Sequence, residues 1–181
     1  MKSLMTKPKA IVGPPGTGIN FHSILTNKNV SLMPFRWYHP RAMNLRKFDR
    51  LAYVELPDFD LRLQNYEIEP HCYTAFLKHK PFCCFGVQEI WPGIGEGWLI
   101  TDKMVEQLVV TLTRSTTRYF NLIAIERRLH RIQLTINTND LLAVRWAHAL
   151  NFTNEGLMRK YGPDGADYLM MSKVFENEPL V

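Results

Sequence analysis

The sequence predicts one α+β domain from residue 31 to residue 181. The 181-residue chain is 46% hydrophobic, which is enough apolar material for one core of ordinary size. Two patterns lead to this fold class. Short apolar runs such as residues 82–87 predict buried strands, and apolar residues at every third or fourth position predict amphipathic helices.

Residues 1–30 are predicted to form an N-terminal arm, extended or bound to a partner, because they show almost no periodic apolar pattern. Prolines interrupt any apolar stretch that could act as a signal sequence, so we expect no secretion. Residues 13–18 are glycine-rich like a phosphate-binding loop. However, Ile19 and Asn20 stand where such a loop needs a lysine and a hydroxyl side chain, which disfavours nucleotide binding.

The first half of the domain combines two predicted helices with two predicted strands. Residues 40–54 carry apolar side chains at helical spacing, and residues 66–79 do the same before Pro81. Residues 82–87 and 98–101 are short apolar runs separated by a glycine-rich turn. These runs predict a pair of neighbouring strands in the centre of a sheet.

A helix is predicted after Asp102, which is a suitable N-cap. Its apolar stripe begins at Val105, and the polar residues 115–117 predict a bend or break between two helices. Residues 131–136 alternate between polar and apolar side chains, which predicts a strand with one solvated face.

The C-terminal part is predicted to contain a helix and a hairpin. The helix is expected to begin at Thr138 or Asn139 and to end at Asn151, which tolerates a left-handed backbone. Residues 152–161 and 166–174 flank a Gly-Pro-Asp-Gly turn and predict a β-hairpin.

Several classes of protein and site are disfavoured by the composition. No apolar run approaches the roughly 20 residues needed to cross a bilayer. The cysteines Cys72, Cys83 and Cys84 have no CxxC spacing, and the six histidines are scattered, so we predict no disulfide and no metal. The net charge of +5 is consistent with an acidic partner, but it explains solubility equally well.

The C-terminal third resembles the GNAT acyltransferase family. It carries, in the family's order, a strand, a helix started by asparagine or aspartate, a corner, a Glu-Gly pair and a final hairpin turn: residues 132–136, Asn139 or Asp140 with Ala143, Leu150 to Phe152, Glu155 with Gly156, and residues 162–165. The resemblance implies a GNAT-like mixed sheet of six to seven strands, helices on both faces and a C-terminal β-hairpin. It also implies two parallel strands that splay apart near Trp98 and Ile132.

The resemblance further implies a place for acetyl-CoA between the splayed strands, with the pyrophosphate on amides that open the next helix. The family's glycine signature is missing from residues 101–107, and Asp102 and Glu106 put negative charge there, offset in part by Lys103. The tyrosine that many members use as a general acid is replaced by Ala147. These departures predict a chain that binds no cofactor.

If acyl-CoA binds after all, the matching positions are Trp98, Ile100, Thr101, Lys103, Gln107 and Asn139. We assign no catalytic residue on this reasoning. Glu89, on the strand after Cys84, is the remaining candidate for deprotonating an amine, a role that some family members give to a glutamate on this strand. Glu67 and Glu69 near His71 are alternatives.

Basic side chains cluster in and after the predicted central helix, at Arg114, Arg118, Arg127, Arg128 and Arg131. They are candidates for binding a protein partner, nucleic acid or an acidic substrate. A solvated helix end, whose cations favour the helix dipole, explains the same cluster. Because no aromatic residues interleave it, nucleic-acid binding is disfavoured.

Residues 91–101 and 161–165 resemble degenerate GNAT-like proteins encoded among the virion genes of short-tailed bacteriophages. This narrower resemblance implies a non-catalytic structural or assembly protein of the virion, internal or tail-associated and made in the host cytoplasm. The arm would then contact other virion proteins and would not insert into a membrane. The same reading allows a homo-oligomer. The alternative is an acyl-CoA-dependent N-acetyltransferase with an atypical cofactor loop at residues 101–107.

Overall fold

The computed structural model describes residues 24–25, 27–53 and 58–176 of the chain. Its seven strands form one mixed sheet in the order β1-β2-β3-β4-β5-β7-β6, as the predicted six to seven strands require. The strands are β1 Val30–Pro34, β2 Tyr73–Leu77, β3 Lys80–Trp91, β4 Ile94–Thr101, β5 Arg131–Asn137, β6 Thr153–Met158 and β7 Tyr168–Val174. The predicted C-terminal hairpin is confirmed as β6 and β7.

The contact between β4 and β5 positions the site. These strands run parallel, and their pairing extends only from Ile94 with Arg131 to Glu96 with Gln133. Farther along, β4 stays paired with β3 and β5 stays paired with β7. A gap therefore opens between the C-terminal halves of β4 and β5.

The helices lie on both faces of the sheet, as predicted: α1 Lys47–Tyr53, α2 Phe59–Ile68, α3 Val109–Glu126 and α4 Leu141–Ala149. One core cluster contains Ile123 of α3 and Ala147 of α4. The second cluster contains Leu63 of α2, together with Trp98 and Ile100 of β4. The apolar stripes of the helices thus cover two separate faces of the sheet.

The helix predicted over residues 40–54 is largely wrong. The chain forms a 3₁₀ turn at His39–Ala42, then an extended stretch, and becomes helical only in α1. Residue Val54 lies outside the described residues. The extended stretch pairs with the residue that follows β4, Asp102. Local periodicity cannot reveal such long-range pairing.

The helix predicted over residues 66–79 is also wrong. α2 ends at Ile68, and Glu69 has an extended ψ of 134°, the conformation favoured before a proline such as Pro70. Of the remaining residues, only Tyr73–Leu77 form β2, which pairs with β1 and β3.

The predicted break at residues 115–117 is absent, because α3 runs without interruption through them. The hydroxyl of Thr113 donates to the carbonyl of Val109 at 2.7 Å, and that of Thr117 donates to the carbonyl of Thr113 at 2.9 Å. These polar side chains are therefore satisfied inside the helix instead of breaking it. Asp102 does act as a cap, but of a 3₁₀ turn, Lys103–Gln107, that precedes α3.

Part of the predicted arm packs on the domain. Ile24 is 1% exposed within the core, and Val30 begins β1. Residues 1–23 lie outside the described residues, so the arm stays a prediction for them.

Residues 44–46, which we call the strap, run antiparallel to the end of β4. The amide of Arg46 donates to the carbonyl of Thr101 at 3.1 Å, and the amide of Lys103 donates to the carbonyl of Asn44 at 2.9 Å. The strap leads directly into α1 and so fixes that helix beside the gap.

A buried polar cluster continues from the strap. Nη2 of Arg46 donates to Oδ1 of Asp140 at 2.7 Å, and Nη1 lies 3.8 Å from Oδ2 of Asp49. The hydroxyl of Thr101 donates to the same Oδ2 of Asp49 at 2.7 Å. Burial raises the pKa of Asp49 to about 6; Thr101 and Arg46 oppose this shift, and the charge of Asp140 adds to it.

Two isoleucines of α3 test the assignment of its buried face. Ile123 is fully buried, whereas Ile125 is 62% exposed. Ile123→Ala should lower the free energy of unfolding by about 2–5 kcal/mol, because it leaves a cavity. Ile125→Ala, the matched control, should change it by no more than about 0.5 kcal/mol. Urea unfolding of both variants checks this, and equal losses would show that the helix is rotated from the described position.

Asp49→Asn should remove a pH dependence of stability. The pKa of Asp49 in the folded protein, about 6, exceeds its ordinary value of 3.8. The folded state therefore holds this proton more tightly than the unfolded state, and its stability falls as pH rises from about 4 to about 6. Asparagine still accepts the Thr101 hydroxyl but does not titrate.

The variant should accordingly gain about 3 kcal/mol relative to the wild type between pH 4 and pH 7. Urea unfolding of both proteins across this pH range measures the gain. A difference between the two proteins that does not change with pH would contradict the raised pKa.

Candidate functional site

The gap between β4 and β5 holds a cavity of about 550 Å³. Its walls come from the two strands and from β3, from α3 and α4 on one side, from the strap, α1 and α2, and from the C-terminal hairpin. A volume of this size lies within the usual range for small-molecule sites.

The edge of β4 offers free main-chain groups to this cavity. Successive peptide groups of a strand point to opposite sides, and the amide of Asp102 points to Phe82 on β3. Thr101 and Leu99 therefore direct their peptide groups toward β5. The carbonyl of Thr101 is bonded to the strap, but no residue of β5 pairs with Leu99. Leu99 can thus donate to and accept from a ligand that lies in the gap.

Glu96 is a half-buried carboxylate in the cavity wall, at the last residue of β4 that pairs with β5. Burial raises its pKa, and it forms no hydrogen bond or ion pair with the rest of the described chain. Tyr66 lies nearby, with its ring stacked on Trp98 at 4.4 Å between centroids. Burial and the charge of Glu96 both raise the pKa of Tyr66. Such an unpaired carboxylate can accept a proton from a bound ligand.

Two phenols of the C-terminal hairpin complete the cavity. Tyr161 and Tyr168 both line it, and their ring centroids are 5.5 Å apart. Burial raises the pKa of Tyr168, while a hydrogen bond from Asn137 acts in the opposite direction. Ala147 also lines the cavity and is fully buried, so the position of the expected tyrosine carries no proton donor.

Trp98 alone among the six predicted cofactor contacts lines the cavity. The other five are Ile100, Thr101, Lys103, Gln107 and Asn139. Ile100 packs in the second core cluster and Thr101 is bonded to Asp49. The last three are exposed on the 3₁₀ turn or just before α4. Their role in cofactor binding stays a prediction.

The carboxylate of Asp102 occupies one backbone amide of the turn after β4 and one of the strap. Oδ1 of Asp102 accepts from the amide of Met104 at 2.9 Å, and Oδ2 accepts from the amide of Asn44 at 2.6 Å. A diphosphate would need amides of this kind. The residues therefore fit the amide-containing arm of a CoA-type molecule along Leu99, but the turn after β4 does not fit its diphosphate in the described arrangement.

The carboxylates proposed from the sequence lie in other contacts. Glu89 is 3.1 Å from Nη2 of Arg127 and accepts from the amide of Gly93 at 3.0 Å, so it anchors the β3-β4 turn to the end of α3. Glu67 accepts from Arg36 and from the amide of Trp37. Neither carboxylate is among the residues that line the cavity.

The predicted basic cluster is divided by the fold. Arg127 donates to the carbonyl of Val87 at 2.9 Å, besides its contact with Glu89. Arg131 donates to Glu155 at 2.8 Å, and this pairing lowers the pKa of Glu155 to about 2. Arg114 and Arg118 are exposed on α3, and Arg128 follows that helix. Binding of a partner by these arginines stays a prediction.

Within residues 24–25, 27–53 and 58–176, no group of three or more histidine, cysteine or acidic side chains could hold a metal ion. No helix of these segments is long and apolar enough to span a bilayer. The three cysteines are buried and unpaired, and burial raises the pKa of Cys72 and of Cys84 to about 12, which keeps both as thiols.

Sequence reasoning missed Glu96, the strap and the roles of Asp49 and Asp140. A local signal for Glu96 exists, because it stands between Gly95 and Gly97. A Cβ added at Gly95 would lie 2.4 Å from Val87, and one at Gly97 would lie 2.7 Å from Leu134. These glycines allow close packing on one face, while alternation along the strand directs Glu96 to the other face. Asp140 is the N-cap of α4, which agrees with the helix start that the family resemblance offered and corrects the start at Thr138 or Asn139.

No protein-family model and no curated protein matches this sequence. Solved structures do match. Ard1 from Thermoplasma volcanium is 11% identical, with 82% of this chain and 99% of that chain covered, at a TM-score of 0.66. A GNAT-family acetyltransferase from Bacillus anthracis is 12% identical, with 84% and 99% covered, at 0.63. YncA from Salmonella typhimurium, solved with its cofactor acetyl-CoA, is 15% identical, with 83% and 96% covered, at 0.61.

These comparisons contradict the prediction of a non-catalytic structural or assembly protein of a phage virion. The neighbours that share the architecture include acetyltransferases, and the bacteriophage, virion and tail assignments gain no support from them. The prediction that the chain uses no cofactor is contradicted too, because a neighbour of the same architecture holds acetyl-CoA.

The predicted fold is confirmed by the match over more than four fifths of the chain and by the mixed seven-stranded sheet with its C-terminal hairpin. The protein has the GNAT acyltransferase fold.

Proposed function

We propose that the protein is an acyl-CoA-dependent N-acyltransferase, with acetyl-CoA as the acyl donor. The observation that carries this proposal is the unpaired, half-buried carboxylate of Glu96 in the wall of the gap between β4 and β5. The acetyl-CoA held by YncA, a neighbour in fold, supports the choice of donor.

The donor would lie along the free edge of β4. The peptide group of Leu99 faces the gap and can hold an amide of the pantetheine arm by one donated and one accepted hydrogen bond. The bound donor supplies an activated acyl thioester. Because the turn after β4 is occupied by Asp102, binding of the diphosphate requires a change there.

Glu96 would remove the proton that an amine acceptor must lose before it can attack. A base works best when its pKa lies near the working pH, and burial moves the pKa of Glu96 upward from the ordinary carboxylate range. The rate should therefore rise with pH as Glu96 ionises. Tyr66, stacked on Trp98, covers one side of this position and limits the access of water.

The leaving thiolate needs a proton, and Ala147 cannot provide one. Of the two hairpin phenols that line the cavity, Tyr168 is the less exposed, and like any phenol it is protonated at neutral pH. Tyr161, beside it, is about half exposed and lies nearer to solvent. We assign the proton donor to Tyr168 on this ground.

Glu96→Gln tests the proposed base directly. The variant should bind acetyl-CoA as well as the wild type does, yet lose about 10²- to 10⁴-fold in kcat with an amine acceptor, because amide oxygen is a poor base. Calorimetry with acetyl-CoA measures binding. Release of free CoA thiol in the presence of a panel of peptide and small-molecule amines measures turnover.

Glu89→Gln is the matched control, since Glu89 is a glutamate of the neighbouring strand that anchors a turn away from the cavity. It should leave kcat within a few fold of the wild type. Equal loss in both variants would argue against Glu96 as the base. Absence of heat with acetyl-CoA would refute the proposed function itself if it holds for the wild type and for Asp140→Asn, a variant that loses the charged partner of Arg46 at the gap.

A further inference from the structure

We infer that the strap, residues 44–46, is an internal inhibitor of the gap, and that it must leave β4 before a CoA-type molecule can occupy the full length of that strand. This inference rests on the proposed function and adds a conformational gate to it. It follows from which edge of β4 the strap occupies and from the ion pair that holds it there.

The strap lies on the edge of β4 that faces β5. The amide of Asp102 bonds to Phe82 of β3, so the groups on the opposite edge belong to Thr101 and Lys103. These are the two residues that bond to the strap, through the amide of Arg46 and the carbonyl of Asn44. The strap therefore takes the position that a third strand would take at the wide end of the gap.

An ion pair fixes the strap across that wide end. Arg46 belongs to the strap on β4, and its partner Asp140 caps α4 just after β5. Both side chains are nearly buried, with 12% and 7% of their surfaces exposed. Their 2.7 Å contact thus joins the two diverging strands where a ligand would have to enter from the turn after β4.

The carboxylate of Asp102 fills the anion position of that turn, and the strap helps to hold it there. The amide of Asn44 donates to Oδ2 of Asp102, whose other oxygen caps the amide of Met104. With the strap in place, both carboxylate oxygens of Asp102 accept hydrogen bonds from main-chain amides. Removal of the strap frees Lys103 and the carbonyl of Thr101, and it releases the guanidinium of Arg46 near the same turn.

Asp140→Asn is designed to loosen this closure without removing the helix cap. Asparagine caps helices as well as aspartate does, so its oxygen can still accept from the amide of Ala143. It carries no charge for Arg46, and charge-assisted hydrogen bonds are about twice as strong as neutral ones. Hydrogen exchange of the Arg46 and Lys103 amides should become about tenfold faster.

The same variant should bind acetyl-CoA about tenfold more tightly than the wild type, because a larger fraction of molecules is open. Glu155→Gln is the matched control. It also removes the charged partner of an arginine, Arg131, but at the start of β5, the end opposite to the strap. It should change neither the exchange of the two strap-linked amides nor the affinity for acetyl-CoA.

A locked variant supplies the reverse test. Leu45 and Asp102 form a pair without direct main-chain bonds, and such residues lie about 4.5 Å apart at Cα, within the range of a disulfide. The double substitution Leu45→Cys with Asp102→Cys should bind acetyl-CoA when reduced and fail to bind it when oxidised. The native cysteines are buried, so they do not interfere.

The outcomes of these experiments distinguish failure of the gate from failure of the proposed function. Tighter binding by Asp140→Asn and loss of binding on oxidation of the locked variant support the strap as a gate. Equal affinity for acetyl-CoA in the oxidised and reduced forms overturns the role of the strap as a gate and leaves the proposed function intact. No binding by any form, including Asp140→Asn and the reduced double variant, overturns the proposed function and the gate together.

Discussion

The early end of the pairing between β4 and β5 determines the rest of this structure. Each strand forms a longer ladder with its other neighbour, β4 with β3 and β5 with β7. The two halves of the sheet can therefore twist apart once the short parallel ladder ends at Glu96. That divergence leaves the peptide group of Leu99 unpaired by β5, makes room for the cavity and puts Glu96 at its narrow end.

A gap inside a sheet leaves main-chain polar groups without a strand partner, and this costs free energy unless other groups form hydrogen bonds with them. At the wide end, the strap supplies partners for Thr101 and Lys103, and Asp49 accepts the Thr101 hydroxyl. One arginine then serves two buried carboxylates, Asp49 and Asp140. This imbalance explains why burial leaves the pKa of Asp49 high even though a guanidinium lies close to it.

Local sequence patterns predicted the elements whose own residues carry a clear period or turn signal. The alternation in residues 131–136 and the Gly-Pro-Asp-Gly turn identified β5 and the hairpin, and Gly165 has the expected positive φ of 75°. Two elements before residue 80 were misread: the residues of β2, which pairs with β1 and β3, also fit a helical period, and the strap is defined by its pairing with a distant strand. A period of three or four among residues 66–79 was weaker evidence than Pro70, which ends α2.

The candidate site was predictable only in part, for a related reason. Glu89 and Glu96 occupy adjacent strands and look alike in the sequence, but the end of α3 brings Arg127 to Glu89, while Glu96 faces a cavity. Only the tertiary arrangement separates an anchoring carboxylate from an unpaired one.

The missing glycine signature has a physical meaning other than the loss of the cofactor. A chain that keeps Asp102 on its own amides still offers donors at the end of β4, but they are occupied by an internal competitor. The apparent affinity for a diphosphate is then the intrinsic affinity multiplied by the fraction of molecules in which this competitor has left, and the site itself need not be lost. Glycines that hold the amides open would make such a gate ineffective. The departure from the signature and the presence of the strap are on this view one adaptation, in which the acid after β4 and the residues that bind it close the gap from within.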